Sequence, residues 1–211
     1  AAASGLPLLA VNERNPWLTS TYGTGEMIMD AISRGCRNFL VGIGGSATND
    51  AGTGMLQALG FRFYDAHGAL IDSCAGGRLQ DIAHIDDSQV PEAVRESIFT
   101  IACDVDTPFC GPEGAAPVFA PQKGADAEMV VKLDAGMASF AEVIATKYEV
   151  DVVPVAGAGA AGGMGGAFYA FLHANLKKGI DMVIANGADP DLLYRIAAGD
   201  AVGTKFHASK E

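Results

Sequence analysis

The sequence predicts an α/β fold, a mixed sheet with flanking helices, and three observations carry that expectation. Short apolar runs of strand length alternate with segments whose apolar residues recur at helical spacing. Polar, glycine-rich loops separate the two kinds of segment. The chain has 211 residues, of which 49% are hydrophobic and 18% charged, enough for one sizeable core or two small lobes.

Along the chain, residues 20–35 place Met27, Ile28, Ala31 and Ile32 on one helical face, with Thr21 or Thr24 as the cap and Gly35 beyond the end. Residues 38–43 read as a buried strand. The loop Gly44-Gly45-Ser46-Ala47-Thr48-Asn49-Asp50 follows and opens a helix from about Ala51 to Leu59. Residues 61–64 read as a strand and residues 65–68 as a turn. Residues 72–89 carry no clear period. Residues 97–102 give a second good strand, and a Gly/Pro/Ala stretch runs on to Gly124. A long helix spans about Ala127 to Lys147, with Met129, Val130, Leu133, Met137, Phe140 and Ile144 on one side. Residues 151–155 read as extended. The second glycine block, 157–166, leads into an apolar helix ending near Leu176, and Val183-Ile184 reads as one more short strand. No internal repeat is present.

The charge balance is acidic, with 14 Lys+Arg against 25 Asp+Glu and a net charge of -11. That argues against nucleic acid or an anionic membrane as partner. A small anion stays open, because backbone amides bind one without net positive charge. No apolar run approaches the roughly 18 residues of a spanning helix. The four cysteines, Cys36, Cys74, Cys103 and Cys110, form no CxxC, so reduced thiols and a cytoplasmic location are expected. The opening Ala1-Ala2-Ala3-Ser4-Gly5 reads as a helix end with its glycine cap, and an upstream segment is expected before it.

The first glycine block is the strongest chemical signal. A loop between strand and helix suits an anion at the helix amides, with Ser46, Thr48 and Asn49 as further donors and Asp50 able to bind a metal or orient a hydroxyl. No Lys-Ser/Thr follows the glycines, so it is not a P-loop; a capped tight turn is the plainer alternative. The second block holds a GxGxxG at Gly157, Gly159 and Gly162, with Asp181 at the distance of a ribose-binding acid. The preceding strand is broken by Pro154, so close backbone packing or a second phosphate-facing helix start is preferred to a dinucleotide site. Asp104 and Asp106 share one face beyond a strand end and could hold Mg²⁺ or accept a hydroxyl proton; turn initiation before Pro108 competes with that reading. Lys123 offers one cation in a loop, where a solvated lysine is the common case. His67, His84, His173 and His207 show no metal spacing, and Arg34 and Arg37 are explained by a helix end.

Several stretches together resemble the bacterial two-domain glycerate kinase family. They are residues 1–6, Tyr22-Gly23-Thr24-Gly25-Glu26, the segment 41–50, Ala102-Cys103-Asp104-Val105-Asp106, Pro121-Gln122-Lys123-Gly124-Ala125 and the segment 157–165, in order from residue 1 to about 178. The resemblance implies a fold like the second domain of glycerate kinase, and ATP- and Mg²⁺-dependent phosphorylation of glycerate. It also implies an active cleft completed by a second kinase domain. Carried over by motif, Gly44, Gly45, Ser46, Thr48 and Asn49 bind substrate or phosphate, and Lys123 contacts an anion. Gly159, Gly162, Gly163 and Gly165 shape the cleft wall. Asp50, Asp104 and Asp106 are the catalytic candidates, the last two also as metal ligands. Two family motifs, of Asp-Ser-Phe-Lys-Gly and Gly-Glu-Gly-Arg type, are absent from this sequence.

Residues 179–206 instead resemble the end of the amino-acid-kinase domain of the glutamate kinase of proline synthesis. The changeover near Lys178-Gly179 resembles a fusion, which gives an expected division into 1–178 and a tail, 179–211. The competing expectation from another class is a non-catalytic anion-binding or chimeric scaffold domain. A nicotinamide-dependent oxidoreductase ranks third.

Overall fold

The computed structural model describes residues 2–177, 182–184, 195 and 204–206. The chain divides into a unit from Ala1 to Leu176 and a second from Lys177 to Glu211. What was expected of residues 178–181, including Asp181, of His207 and of most of the 179–206 segment lies outside the described residues.

The architecture is α/β with both parallel and antiparallel pairing. Strand β1 (Asn38–Gly42) pairs in parallel with β4 (Ile98–Ala102), and β4 is central in a sheet of order β1-β4-β5, with β5 at Asn175–Lys177. Strands β2 (Arg62–Tyr64) and β3 (His84–Asp86) form an antiparallel pair. In the second unit β6 (Met182–Ile184) pairs with β7 (Thr204–Phe206). The helices are α1 (Tyr22–Ser33), α2 (Thr53–Ala58), α3 (Glu92–Arg95), α4 (Ala115–Phe119), α5 (Ala127–Tyr148) and α6 (Ala160–Leu172).

The long helix α5 forms where its periodicity placed it. Asp126 caps it by accepting from the Met129 amide at 2.8 Å, and Glu149 ends it in the left-handed region. Leu133, Met137, Phe140 and Ile144 make its buried stripe, with Gly136 between them set against Leu79. The Phe140 ring lies 5.9 Å from Phe63 and 6.2 Å from Phe171, tying α5 to β2 and α6.

The strand expected at 38–43 is not buried on both faces. Phe39 and Val41 are half-buried while Leu40 is 68% exposed, because β1 packs one face only and sits at a sheet edge. Central β4 buries Phe99 and Ile101, and the Phe99 ring meets Phe168 of α6 at 5.8 Å.

Other local expectations are corrected. Gly5 is extended (φ -88°, ψ 149°), bridges to Ser46 and precedes a 3-10 helix, Leu6–Leu8, so it does not close the end of an earlier helix. The unpatterned stretch 72–89 contains a 3-10 helix, Gly76–Asp81, and β3. The Gly/Pro/Ala stretch contains α4 and a 3-10 helix, Pro121–Lys123. Residues 151–155 turn, with the Val155 amide bonded to the Val152 carbonyl. Helix α6 stops at Leu172, because His173 is left-handed and its amide closes onto Phe168. None of the four cysteines is in a disulfide. Among the described residues no helix is long and apolar enough to cross a membrane.

Phe140→Ala leaves a cavity between the Phe63 and Phe171 rings and is expected to lower the unfolding free energy by about 3–5 kcal/mol. Urea unfolding followed by circular dichroism measures it; a loss under about 1 kcal/mol would show that this cluster does not anchor α5.

Candidate functional site

Beyond β1 the chain turns through Gly44, Gly45 and Ser46, and the N-terminal segment pairs with this loop. The Leu6 amide donates to the Gly45 carbonyl and the Ala47 amide to the Ser4 carbonyl, each at 2.9 Å. A cleft of about 230 Å³ opens beside the loop. Gly44, Gly45 and Ser46 form one side, Ala102, Cys103, Asp104 and Val105 another, and Phe119, Gln122, Lys123, Ala160 and Ala161 complete it.

Lys123 is the unexpected feature. It is 2% exposed, although its loop composition suggested a solvated cation. Its Nζ donates to Ser46 Oγ at 2.9 Å and to the Thr48 carbonyl at 2.6 Å. An ammonium has three donors, so one is left for the cleft that Lys123 lines. Burial pushes its pKa down to about 8, and the nearby Asp50 charge acts in the opposite direction. Gly162, left-handed at φ 69°, makes this arrangement possible: a Cβ there would collide with the same Thr48 carbonyl oxygen.

The expected anion site at the start of the following helix is not free to bind one. Helix α2 begins only at Thr53, after left-handed Ala51 and Gly52. Its first amides already have internal acceptors. Gly52 N donates to Asp50 Oδ1 and Gly54 N to Asp50 Oδ2, both at 3.2 Å. Thr53 N donates to the Asp50 carbonyl, and Met55 N to Thr21 Oγ1. The protein's own carboxylate occupies the place reserved for a ligand.

Asp50 therefore lies behind the cleft and does not line it. It is fully buried and accepts from the Thr21 amide and the Thr21 hydroxyl, each at 2.8 Å, besides the two glycine amides. Burial pushes its pKa above the usual carboxylate value, and these donors offset only part of the rise. Thr48 and Asn49 are buried beside it, and the Asn49 amide group donates to Met137 Sδ.

Asp104 is exposed and lines the cleft; Asp106 is exposed and does not line it. Among the described residues no group of three or more His, Cys, Asp or Glu gathers as a metal-binding cluster.

The second glycine block is packed against the protein's own backbone. Cβ atoms at Gly159, Gly163 and Gly165 would strike the Pro108 carbonyl, the Ala51 backbone and the Gly157 carbonyl. The space a dinucleotide would need at the GxGxxG is filled, and only Ala160 and Ala161 of this segment reach the cleft. Sequence reasoning missed the role of Thr21, read there as a helix cap. It also missed Cys103, Phe119 and Gln122 as cleft walls. The Lys123–Ser46 contact spans 77 residues and has no local signal.

Fold and cleft together define an α/β domain with a glycine-rich loop backed by a buried lysine. The chain belongs to the glycerate kinase family, whose model matches residues 1–198. It is 49% identical over 183 residues to glycerate 2-kinase of Escherichia coli K12, covering 87% of this chain and 48% of that protein. It is 47% identical over 184 residues to glycerate kinase of Bacillus subtilis 168, again covering 87% and 48%. A crystal structure from Salmonella typhimurium LT2, assigned as glycerate kinase 2, superposes with a TM-score of 0.81 at 47% identity, over 84% of this chain and 47% of that one. The chain spans about half the length of the curated relatives it matches.

Lys123 titrates at about 8 in the folded chain against 10.5 when free. Between those values the unfolded chain binds more protons at this position, so folding stability gained from Lys123 rises with pH from about 8 to about 10.5. The difference in unfolding free energy between the wild type and Lys123→Met is therefore expected to move in the wild type's favour across that window, measured by denaturant unfolding at stepped pH. A flat difference would show that the ammonium is not held out of water.

Proposed function

We propose that this chain is the substrate-side part of a glycerate kinase, which phosphorylates glycerate with ATP and Mg²⁺. The observation that carries this reading is the buried Lys123 ammonium beneath the Gly44–Ser46 loop, with the Asp104 carboxylate on the same cleft. The cleft's 230 Å³ suits a three-carbon acid or a phosphate and is below the roughly 300–1,000 Å³ of drug-sized ligands. The adenosine of ATP therefore lies outside it, on a second kinase domain that the relatives' greater length can supply.

In this reading Lys123 uses its third N–H on the glycerate carboxylate or the transferred phosphoryl group, and Ser46 fixes the lysine. Asp104 accepts the proton as the glycerate hydroxyl oxygen attacks the terminal phosphorus and ADP leaves. Asp50 holds the loop from behind. The donor set also fits Mg²⁺, which commonly takes one or two carboxylates and completes its shell with phosphates and water. Asp104 would be the protein ligand, with Asp106 two residues on as a further candidate. The bound ion would neutralise charge on the transferred group. Four cysteines without a disulfide suit a reducing compartment, the cytoplasm. We also propose that residues 179–206 are a fused tail, on their resemblance to glutamate kinase.

ADP release from ATP with glycerate, glutamate or no acceptor tests the activity. Glycerate-dependent release supports the reading; release with glutamate alone overturns the substrate, and binding of glycerate without release favours the non-catalytic module. Asp104→Asn is expected to lower turnover about 100-fold or more with the melting temperature unchanged. Turnover that survives the substitution removes Asp104 from the chemistry.

A further inference from the structure

We propose that Thr21 and Asp50 are positioning residues for this cleft: a hydroxyl clamp and a buried carboxylate that anchor the far end of the loop and set a fixed negative charge behind Lys123. The inference rests on the cleft proposed above as the anion site and deepens it.

Thr21 stands just before α1, where a threonine would ordinarily cap its own helix. It makes no such bond. Its hydroxyl is fully buried and its proton direction is settled. The Met55 amide donates into Oγ1 at 2.8 Å, so the hydroxyl hydrogen goes to Asp50 Oδ2, also at 2.8 Å. The Thr21 amide donates to that same oxygen at 2.8 Å. The starts of α1 and α2 are thus tied to one carboxylate by donors alone, which favour its ionised form against the burial that opposes it.

The consequence reaches the cleft through the loop. Asp50 lies two residues beyond Thr48, whose carbonyl accepts from Lys123 at 2.6 Å. Gly162 packs against Thr48 and Asn49 from the other side, where even a methyl group does not fit. A shift of Asp50 therefore moves the Thr48 carbonyl and, with it, the lysine. Charge travels the same way. Both groups that accept from Lys123, Ser46 Oγ and the Thr48 carbonyl, are neutral. The ionisable groups around it are Asp50 behind the loop and Cys103 and Asp104 across the cleft. Asp104 is exposed and its charge is screened by water; Asp50 is buried and its charge is not. The ammonium depends chiefly on Asp50, and Asp50 on Thr21.

The test uses the full 211-residue chain with ¹³C-labelled lysine and aspartate. The Lys123 side-chain resonance, assigned by its loss in Lys123→Met, is followed against pH in the wild type, Thr21→Val, Asp50→Asn and Thr21→Ser. Lys123 is expected to titrate at lower pH in Thr21→Val and in Asp50→Asn, and at the wild-type position in Thr21→Ser, which keeps the hydroxyl. Inorganic phosphate affinity at pH 7, by calorimetry, is expected to fall about tenfold in Thr21→Val and to recover in Thr21→Ser. Unchanged Lys123 titration in the folded variants overturns the proposal, as does failure of Thr21→Ser to restore it. Should the variants not fold, the wild type alone decides: a protonated Asp50 carboxyl at pH 7 overturns the proposal and an ionised one supports it. If the wild type binds neither phosphate nor glycerate while Lys123 still follows Thr21, the coupling stands and the proposed function fails.

Discussion

A carboxylate removed from water is costly, and Asp50 is fully buried. It persists because the Thr21 amide and hydroxyl and the Gly52 and Gly54 amides all point their hydrogens at it. This one constraint fixes where α1 and α2 begin, since their first polar groups are the donors. It also fixes the loop between β1 and α2, because the loop ends at Asp50. The second glycine block follows from it in turn: Gly162 must lie flat against Thr48 and Asn49, and the Ala51 amide closes onto the Gly162 carbonyl at 3.0 Å. The left-handed run at Ala161, Gly162 and Gly163 is the backbone's accommodation to that approach.

The elements most legible in the sequence were those with a local period. Helix α5 was readable because Leu133, Met137, Phe140 and Ile144 repeat at helical spacing and Asp126 precedes them as a cap. Strand β4 was readable as an apolar run, but its neighbour β1 is a similarly apolar run with no fully buried residue. Composition does not distinguish a central strand from an edge. The short elements β3, α4 and the 3-10 helices are too brief to show a period, and tertiary contacts alone maintain them. His173 ended α6 early by adopting a left-handed conformation that a histidine does not announce.

The site was legible in its parts and not in its assembly. The glycine-serine loop, Asp104 and Lys123 were each visible, and the structure gathers them around one cleft. The error lay in the helix start. Sequence reasoning counted the amides after Asn49 as free for an anion and treated Asp50 as a ligand-side group. A carboxylate two residues before a Gly-Thr-Gly turn is itself the nearest anion, and it takes those amides first. The positive end of the site then has to come from elsewhere in the chain, and Lys123 supplies it from far along the sequence.

That substitution of a lysine for a helix terminus has a chemical consequence. Helix amides present fixed partial charges and do not titrate, whereas a buried lysine carries a full charge that water and pH can remove. Its pKa of about 8 leaves it mostly protonated at neutral pH, with little margin. On the proposed reading an anion in the cleft would meet an ammonium already largely stripped of water, which strengthens the attraction. It also needs a counter-charge that the ligand cannot displace. A carboxylate inside the cleft would compete with the anion for the lysine; one behind the loop, out of the ligand's reach, supports the ammonium without occupying its free donor. The buried position of Asp50 meets that requirement, and on the proposed reading it leaves Asp104, exposed on the cleft, for the proton or the metal.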